Sequence, residues 1–168
     1  MVRYLLAAVL ALLTGCVTLR VGAGVSHRGD SGGAAATWDT ELGVIVPVTD
    51  AWSLSALSVV RAHSVNGGRP LLGVEAARFL GDPAARPHGR DLGTPEPSST
   101  SFLLAGRVEV GRDDLGRYLG GAAVARAIFP WEAMSPFLPS LSLVLNGGWY
   151  DGPVHGPAVG VNLLVGFW

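Results

Sequence analysis

The chain has 168 residues, of which 49% are hydrophobic and 15% charged, with a formal net charge of −1 and one Cys; its mean hydropathy is +0.39. Soluble domains carry roughly 25% charged residues. The apolar excess argues against intrinsic disorder, the single Cys excludes a disulfide scaffold, and the lack of any basic run argues against nucleic acid as a partner.

Residues 1–15 read as a secretory signal. Arg3 forms a positive n-region, and Tyr4 to Leu13 form an apolar h-region. That run is too short to span a bilayer as a helix, which takes about 20 residues. The tetrapeptide Leu13-Thr14-Gly15-Cys16 resembles the lipobox of bacterial lipoproteins. The resemblance implies cleavage before Cys16 and an acyl lipid (a diacylglycerol) on its thiol, the one covalent group expected; no other cofactor is. An ordinary signal peptide with a chance Cys, or an uncleaved anchor, is the plainer reading. Acyl chains contribute about 0.8 kcal/mol per buried CH₂, so several of them hold a protein on a membrane almost permanently. Val17 stands where Asp would imply retention at the inner membrane, so the same resemblance implies transport to the outer membrane by the lipoprotein-sorting machinery.

After Cys16 the dominant pattern is alternation with a period of two, interrupted by Gly, Pro and Asp clusters. It predicts eight strands, over 17–27, 36–48, 52–64, 70–80, 102–111, 117–129, 137–149 and 157–168. Each is long enough for a tilted transmembrane strand, which takes about 9–11 residues. Successive side chains on a strand point to opposite faces. Val17, Leu19, Val21, Ala23 and Val25 therefore share one face of the first segment; Thr18, Arg20, Gly22, Gly24 and Ser26 share the other. In the second, Trp38, Leu42, Val44, Val46 and Val48 oppose Asp39, Glu41 and Gly43. In the seventh, Phe137, Leu141, Leu143 and Leu145 oppose Ser140, Ser142 and Asn146; in the last, Val159, Val161, Leu163, Val165 and Phe167 oppose Gly160, Asn162 and Gly166. The fourth and sixth segments alternate less cleanly, and Arg78 falls on the apolar parity.

One face is apolar and the other small, polar or charged. A membrane barrel turns the first outward and a soluble barrel turns it inward. The aromatic residues favour the membrane arrangement. All twelve after Cys16 lie at or beyond strand ends: Trp52, Phe79, Phe102, Phe129, Trp131, Phe137, Phe167 and Trp168 near one rim, and Trp38, Tyr118, Trp149 and Tyr150 near the other. Two such girdles flanking an aliphatic band are what a bilayer selects. The inward set is then Arg20, Arg61, Arg107 and Arg126 against Asp39, Glu41, Glu75 and Glu109, with His63. Eight strands enclose a lumen that side chains can fill, so this polar network is expected to form a plug rather than a pore.

These segments resemble the small eight-stranded outer-membrane barrels, such as the membrane domain of outer-membrane protein A. The resemblance covers most of residues 17–168 and implies an all-β, antiparallel, up-and-down transmembrane barrel as a single domain over 16–168. It also implies outer-membrane lipid around the barrel. The ending Gly160 to Trp168 resembles the C-terminal signal read by the barrel-assembly machinery, although its hydrophobic series is in register with Phe167 rather than with the last residue. The longest connection, Gly81 to Ser101, falls on the periplasmic side. That breaks the habit of such barrels, which keep short turns there.

The most suggestive chemical motif is Arg61-Ala62-His63-Ser64-Val65-Asn66. It is similar to the His-x-Ser-Asn element of outer-membrane lipid A deacylases, in which His takes the Ser proton and a carboxylate orients the His. Here Val65 stands at the nucleophile position and Ser64 comes one residue early, which on a strand reverses its face. His63, Ser64 and Glu75 are the candidates on this reading; the plainer one makes His63 part of the interior network. Arg28-Gly29-Asp30 is a tripeptide of the adhesion type, common by chance in Gly-rich loops. His27, His88 and His155 lack metal-ligand spacing, and Asp113-Asp114 and Asp151-Gly152 read as turns. The expectation is an outer-membrane barrel lipoprotein of a Gram-negative bacterium with a structural or interaction role, no enzyme activity and no metal. Its outward loops are 28–35, 65–69, 112–116 and 151–156. The rivals are a lipid-tethered, lipocalin-like barrel holding an apolar ligand, a lipid A deacylase-like hydrolase, and a narrow channel.

Overall fold

Hydrophobic side chains at every second position make each segment a strand with one apolar face. A strand leaves half its backbone groups unpaired until it finds neighbours on both sides. Closing the sheet on itself satisfies all of them, and the computed structural model is such a closed sheet. It describes residues 16–28, 33–49, 51–64, 67–80, 100–113, 116–129, 139–153 and 155–167. The strands are β1 (Cys16–Arg28), β2 (Ala34–Pro47), β3 (Trp52–His63), β4 (Gly67–Leu80), β5 (Ser101–Asp113), β6 (Gly116–Ile128), β7 (Pro139–Asp151) and β8 (Gly156–Phe167). Each pairs antiparallel with the next, and β8 returns to β1.

The register sets the shape. A path across the strands from Val17 passes Val44, Ala56, Val74, Val108, Gly121, Gly147 and Val159, and re-enters β1 at His27, ten residues further along. With a rise of about 3.3 Å per residue and about 4.8 Å between strands, that stagger tilts the strands by about 40° from the barrel axis. The closing seam is tight. A Cβ on Gly22 or Gly24 of β1 would run into the β8 backbone at Leu163, Val161 and Asn162, and one on Gly166 would run into Leu19 and Arg20.

The two faces are as the alternation predicts. Val21, Leu42, Leu72, Val108, Leu143, Leu163 and Val165 are exposed on the outside. Arg20, Asp39, Glu41, Arg61, Glu75, Arg107, Glu109 and Arg126 are all buried in the lumen. The lumen therefore holds the charges, not a Val- and Leu-lined hollow as the lipocalin-like rival requires. Both chain ends of the barrel lie on one rim, here the near rim, together with the connections 48–51, 81–100 and 129–138; the far rim carries 29–33, 64–66, 114–115 and 152–155. With all eight strands in place, the longest connection does share the near rim with the termini.

Three expectations need correction. Phe79, Tyr118 and Tyr150 are not girdle residues: they are buried, at 4%, 4% and 3% exposure, with their rings in the lumen. Their parity matches the inward neighbours Ala77, Val124 and Ser142, and a ring filling a narrow lumen leaves no room for water. Nor is the inward face uniformly small or polar. Toward the near rim it is apolar, built from Ile45, Phe79, Leu103, Ile128, Val144 and Leu164. The four-against-four charge balance also fails, because Arg69 is a fifth buried arginine, supplied by a strand that starts at Gly67 rather than at residue 70. Of the remaining girdle positions, Trp38, Trp52, Phe102, Phe129 and Trp149 are exposed and Phe167 is half-buried, while Trp131, Phe137 and Trp168 lie outside the described residues, as do residues 1–15 and the Cys16 side chain.

Candidate functional site

The lumen concentrates the polar chemistry. Arg107 on β5 stands at its centre and bonds three carboxylates. Its Nε and Nη2 donate to Glu75 Oε2 at 3.1 and 2.7 Å, its Nη1 and Nη2 to the Glu41 carboxylate, and its Nη1 to Glu109 Oε1 at 3.3 Å. Arg61 on β3 forks between two more. Its Nε donates to both Asp39 oxygens at 3.2 and 3.1 Å, and its Nη1 and Nη2 donate to Glu109 at 3.1 and 3.3 Å. Arg126 on β6 gives Nη2 to Glu75 Oε1 at 3.1 Å and Nε to Ser142 Oγ at 2.9 Å. Planar guanidinium forks suit such sharing, since five donors are fixed in one plane.

Arg20 is different. Its Nε lies 3.3 Å from Glu41 Oε2, yet none of its three guanidinium nitrogens makes a hydrogen bond among the described residues. It is held by charge alone. The network continues without charge through Asn162, whose Nδ2 donates to Asp39 Oδ2 at 2.9 Å and whose Oδ1 accepts from Thr37 Oγ1 at 2.7 Å. Thr37 and Asn162 reach each other from β2 and β8 over the top of β1, where Gly24 presents no side chain. The network thus ties all eight strands together. Breaking a buried ion pair costs far more than the pair gained on forming, so each strand is locked to a specific register.

Toward the far rim the filling changes. The Arg69 guanidinium lies 4.1 Å from the Tyr150 ring centroid, and Tyr150 packs against Tyr118 at 4.9 Å. The Tyr118 ring lies over Gly120 and Gly148, a cross-strand pair whose added Cβ atoms would enter the ring. Also toward the far rim, Ser26 Oγ and His63 Nδ1 are 3.2 Å apart.

The eight charged residues of the predicted polar network are thereby brought together, while His63, also expected in it, meets Ser26. The three hydrolase candidates are not. His63 is half-buried at the far end of β3 and faces Ser26 of β1; Ser64 is exposed just past the strand; Glu75 is fully buried among Arg107 and Arg126. Asn66 and Val65 of that motif lie outside the described residues, as do Gly29, Asp30 and His88. The residues that sequence reading missed are Arg69, Ser26, Thr37, Ser142 and Asn162 as partners. Ser26 and Ser142 sit on inward parity in strands already assigned, so parity alone carried that signal. Among the described residues no group of three His, Cys, Asp or Glu is placed to hold a metal.

No protein-family model matches the chain, and no curated protein matches it. Among solved structures, the crystal structure of Neisserial surface protein A is similar, with a TM-score of 0.50 over 90% of this chain and 96% of that chain, at 12% sequence identity. At that identity the likeness concerns the fold: an eight-stranded, closed, antiparallel barrel of the outer-membrane type.

Proposed function

We propose that the chain is an outer-membrane β-barrel lipoprotein of a Gram-negative bacterium, with a structural or interaction role, a closed lumen and no catalytic activity. The observation that carries this reading is the inversion of the two faces. A soluble monomer rarely exposes an apolar patch beyond a few hundred Å², yet here Leu, Val and Trp side chains are exposed on every strand while five arginines among the described residues are buried. Hydrocarbon is the solvent that such a surface fits, and a closed barrel is one of the two structures whose backbone is satisfied in it. Arg78 supports the same placement. It lies on the outer wall two residues from the near rim, with its guanidinium 5.9 Å from the Trp52 ring, as long cationic side chains do at a membrane interface.

The mechanism is physical. The apolar wall holds the barrel in the bilayer, and the ion network fills the lumen and seals it against ions. A lipid on Cys16 would sit at the first residue of β1 with no intervening tether, pinning the strand that closes against β8. The reading is tested by expressing the full chain in a Gram-negative host and fractionating the membranes. It expects an outer-membrane protein that migrates differently with and without boiling, conducts no current in planar bilayers, and leaves lipid A acylation unchanged. Incorporation of labelled palmitate that Cys16→Ser abolishes is expected for the lipid anchor. Recovery of the unlipidated Cys16→Ser chain as a water-soluble protein would overturn the membrane reading.

A further inference from the structure

The outer wall is not uniform. Along β6 the outward positions below Leu119 are Gly121, Ala123, Ala125 and Ala127, and their register partners include Gly106 on β5 and Gly147 on β7. Space beside Gly106 is open: an added Cβ there meets nothing within 4 Å. Large residues flank this floor on both sides, with Phe102, Leu104 and Val108 on β5 and Leu141, Leu143 and Leu145 on β7, all exposed. The result is a trough that follows β6 down the wall. Beyond Leu119, at the far-rim end of the same wall, lies a groove of about 740 Å³, walled by Leu72, Val110, Leu119 and Trp149 and edged by Arg112 and Arg117.

The two arginines give the groove a polarity. They are register partners on β5 and β6 and both are exposed on the outer wall. Like charges directly opposite on neighbouring strands repel each other, so this pair gains from an anion placed between them. Asp151 faces Arg117 from β7 and has His155 Nδ1 at 3.6 Å; Asp113 ends β5, and its side chain and all of Asp114 lie outside the described residues.

Resting on the membrane reading above, we propose that this wall binds one anionic membrane lipid: an acyl chain lies in the trough over Ala123 and Ala125, and the headgroup phosphate is held by Arg112 and Arg117. The match is one of shape and charge together. A bilayer places its phosphates at the height where the strand ends, and its acyl chains below, where the side chains have been cut back to methyl groups and hydrogens. Two guanidiniums also suit a phosphate better than point charges would.

The test reconstitutes the full chain in phosphatidylcholine vesicles carrying a trace of spin-labelled phosphatidylglycerol or spin-labelled phosphatidylcholine, and measures the motionally restricted fraction. Wild type is expected to hold the anionic lipid roughly fivefold more than the zwitterionic one, the size of one basic side chain's attraction to an anionic lipid surface. R112Q/R117Q removes the preference but leaves restricted lipid of both kinds. A123L/A125L fills the trough and removes that restricted population, with the barrel still inserted. Equal binding of the two lipids by wild type, or a preference untouched by R112Q/R117Q, overturns the proposal; the latter would assign the arginines to the turn carboxylates. Cross-linking of two barrels through β6 that excludes lipid would make the trough a protein interface, and also overturns it. Failure of the wild-type chain to enter vesicles at all strikes the membrane reading instead.

Discussion

The near-rim and far-rim halves of the lumen are filled by different means. Near the chain ends, Ile45, Phe79, Leu103, Ile128, Val144 and Leu164 pack as an apolar plug. From mid-barrel to the far rim the space is taken mainly by arginines, carboxylates and two tyrosines, with Leu57, Val59 and Leu71 packed beside the tyrosines. The first half needs only volume, because apolar chains of similar size substitute for each other at low cost. The second needs each partner present, because an orphaned buried charge has no water to fall back on. The same barrel thus pairs a tolerant half with an intolerant one. The intolerant half contains the groups that bridge non-adjacent strands, as Arg107 of β5 does to Glu41 of β2.

The largest expected effect breaks that contrast at its centre. Arg107→Met leaves Glu41, Glu75 and Glu109 without their shared donor and should destabilise the barrel by about 3–5 kcal/mol, read as a lowered urea midpoint in detergent micelles. A midpoint equal to wild type would mean that the network contributes nothing to stability. In the tolerant half, Leu103→Ala should cost about 2–5 kcal/mol through the cavity it leaves, whereas Leu103→Met should cost less than about 1.5 kcal/mol; equal losses would show that half to be as exacting as the other. On the outside, Val74→Arg at mid-strand should cost about 2–4 kcal/mol in a bilayer, and Leu80→Arg at the near rim about 0–1 kcal/mol. Folding titrations in vesicles measure the difference, and a flat depth profile would contradict the membrane placement. One further change sharpens the far half. Gly148→Val pushes into the Tyr118 ring and should cost about 1–3 kcal/mol. Adding Tyr118→Ala in the same chain should return part of that loss, since the two changes meet at one contact.

Much of this was legible in the residues. Alternation located all eight strands, most ends falling within two residues of those observed. The exception is the start of β4, where Gly67 and Gly68 carry no side chain to alternate and Arg69 was left out. The eight charges of the inward network followed from parity, because a period of two leaves no freedom once one residue is placed. The rings of Phe79, Tyr118 and Tyr150 were misplaced because an aromatic near a strand end fits a girdle or a lumen equally well by position, and only its parity separates the two.

The residues alone determined that one face of every strand is greasy and the other carries the charges, since that is a property of spacing along the chain. Which arginine meets which carboxylate was decided only when the sheet closed. Arg107 and Glu41 are 66 positions apart, and Thr37 reaches Asn162 only because the stagger of ten residues brings β8 beside β1 with Gly24 between them. The trough along β6 is likewise a product of register, because its depth comes from leucines on β7 and a phenylalanine on β5 that adjoin the alanines only in the folded wall.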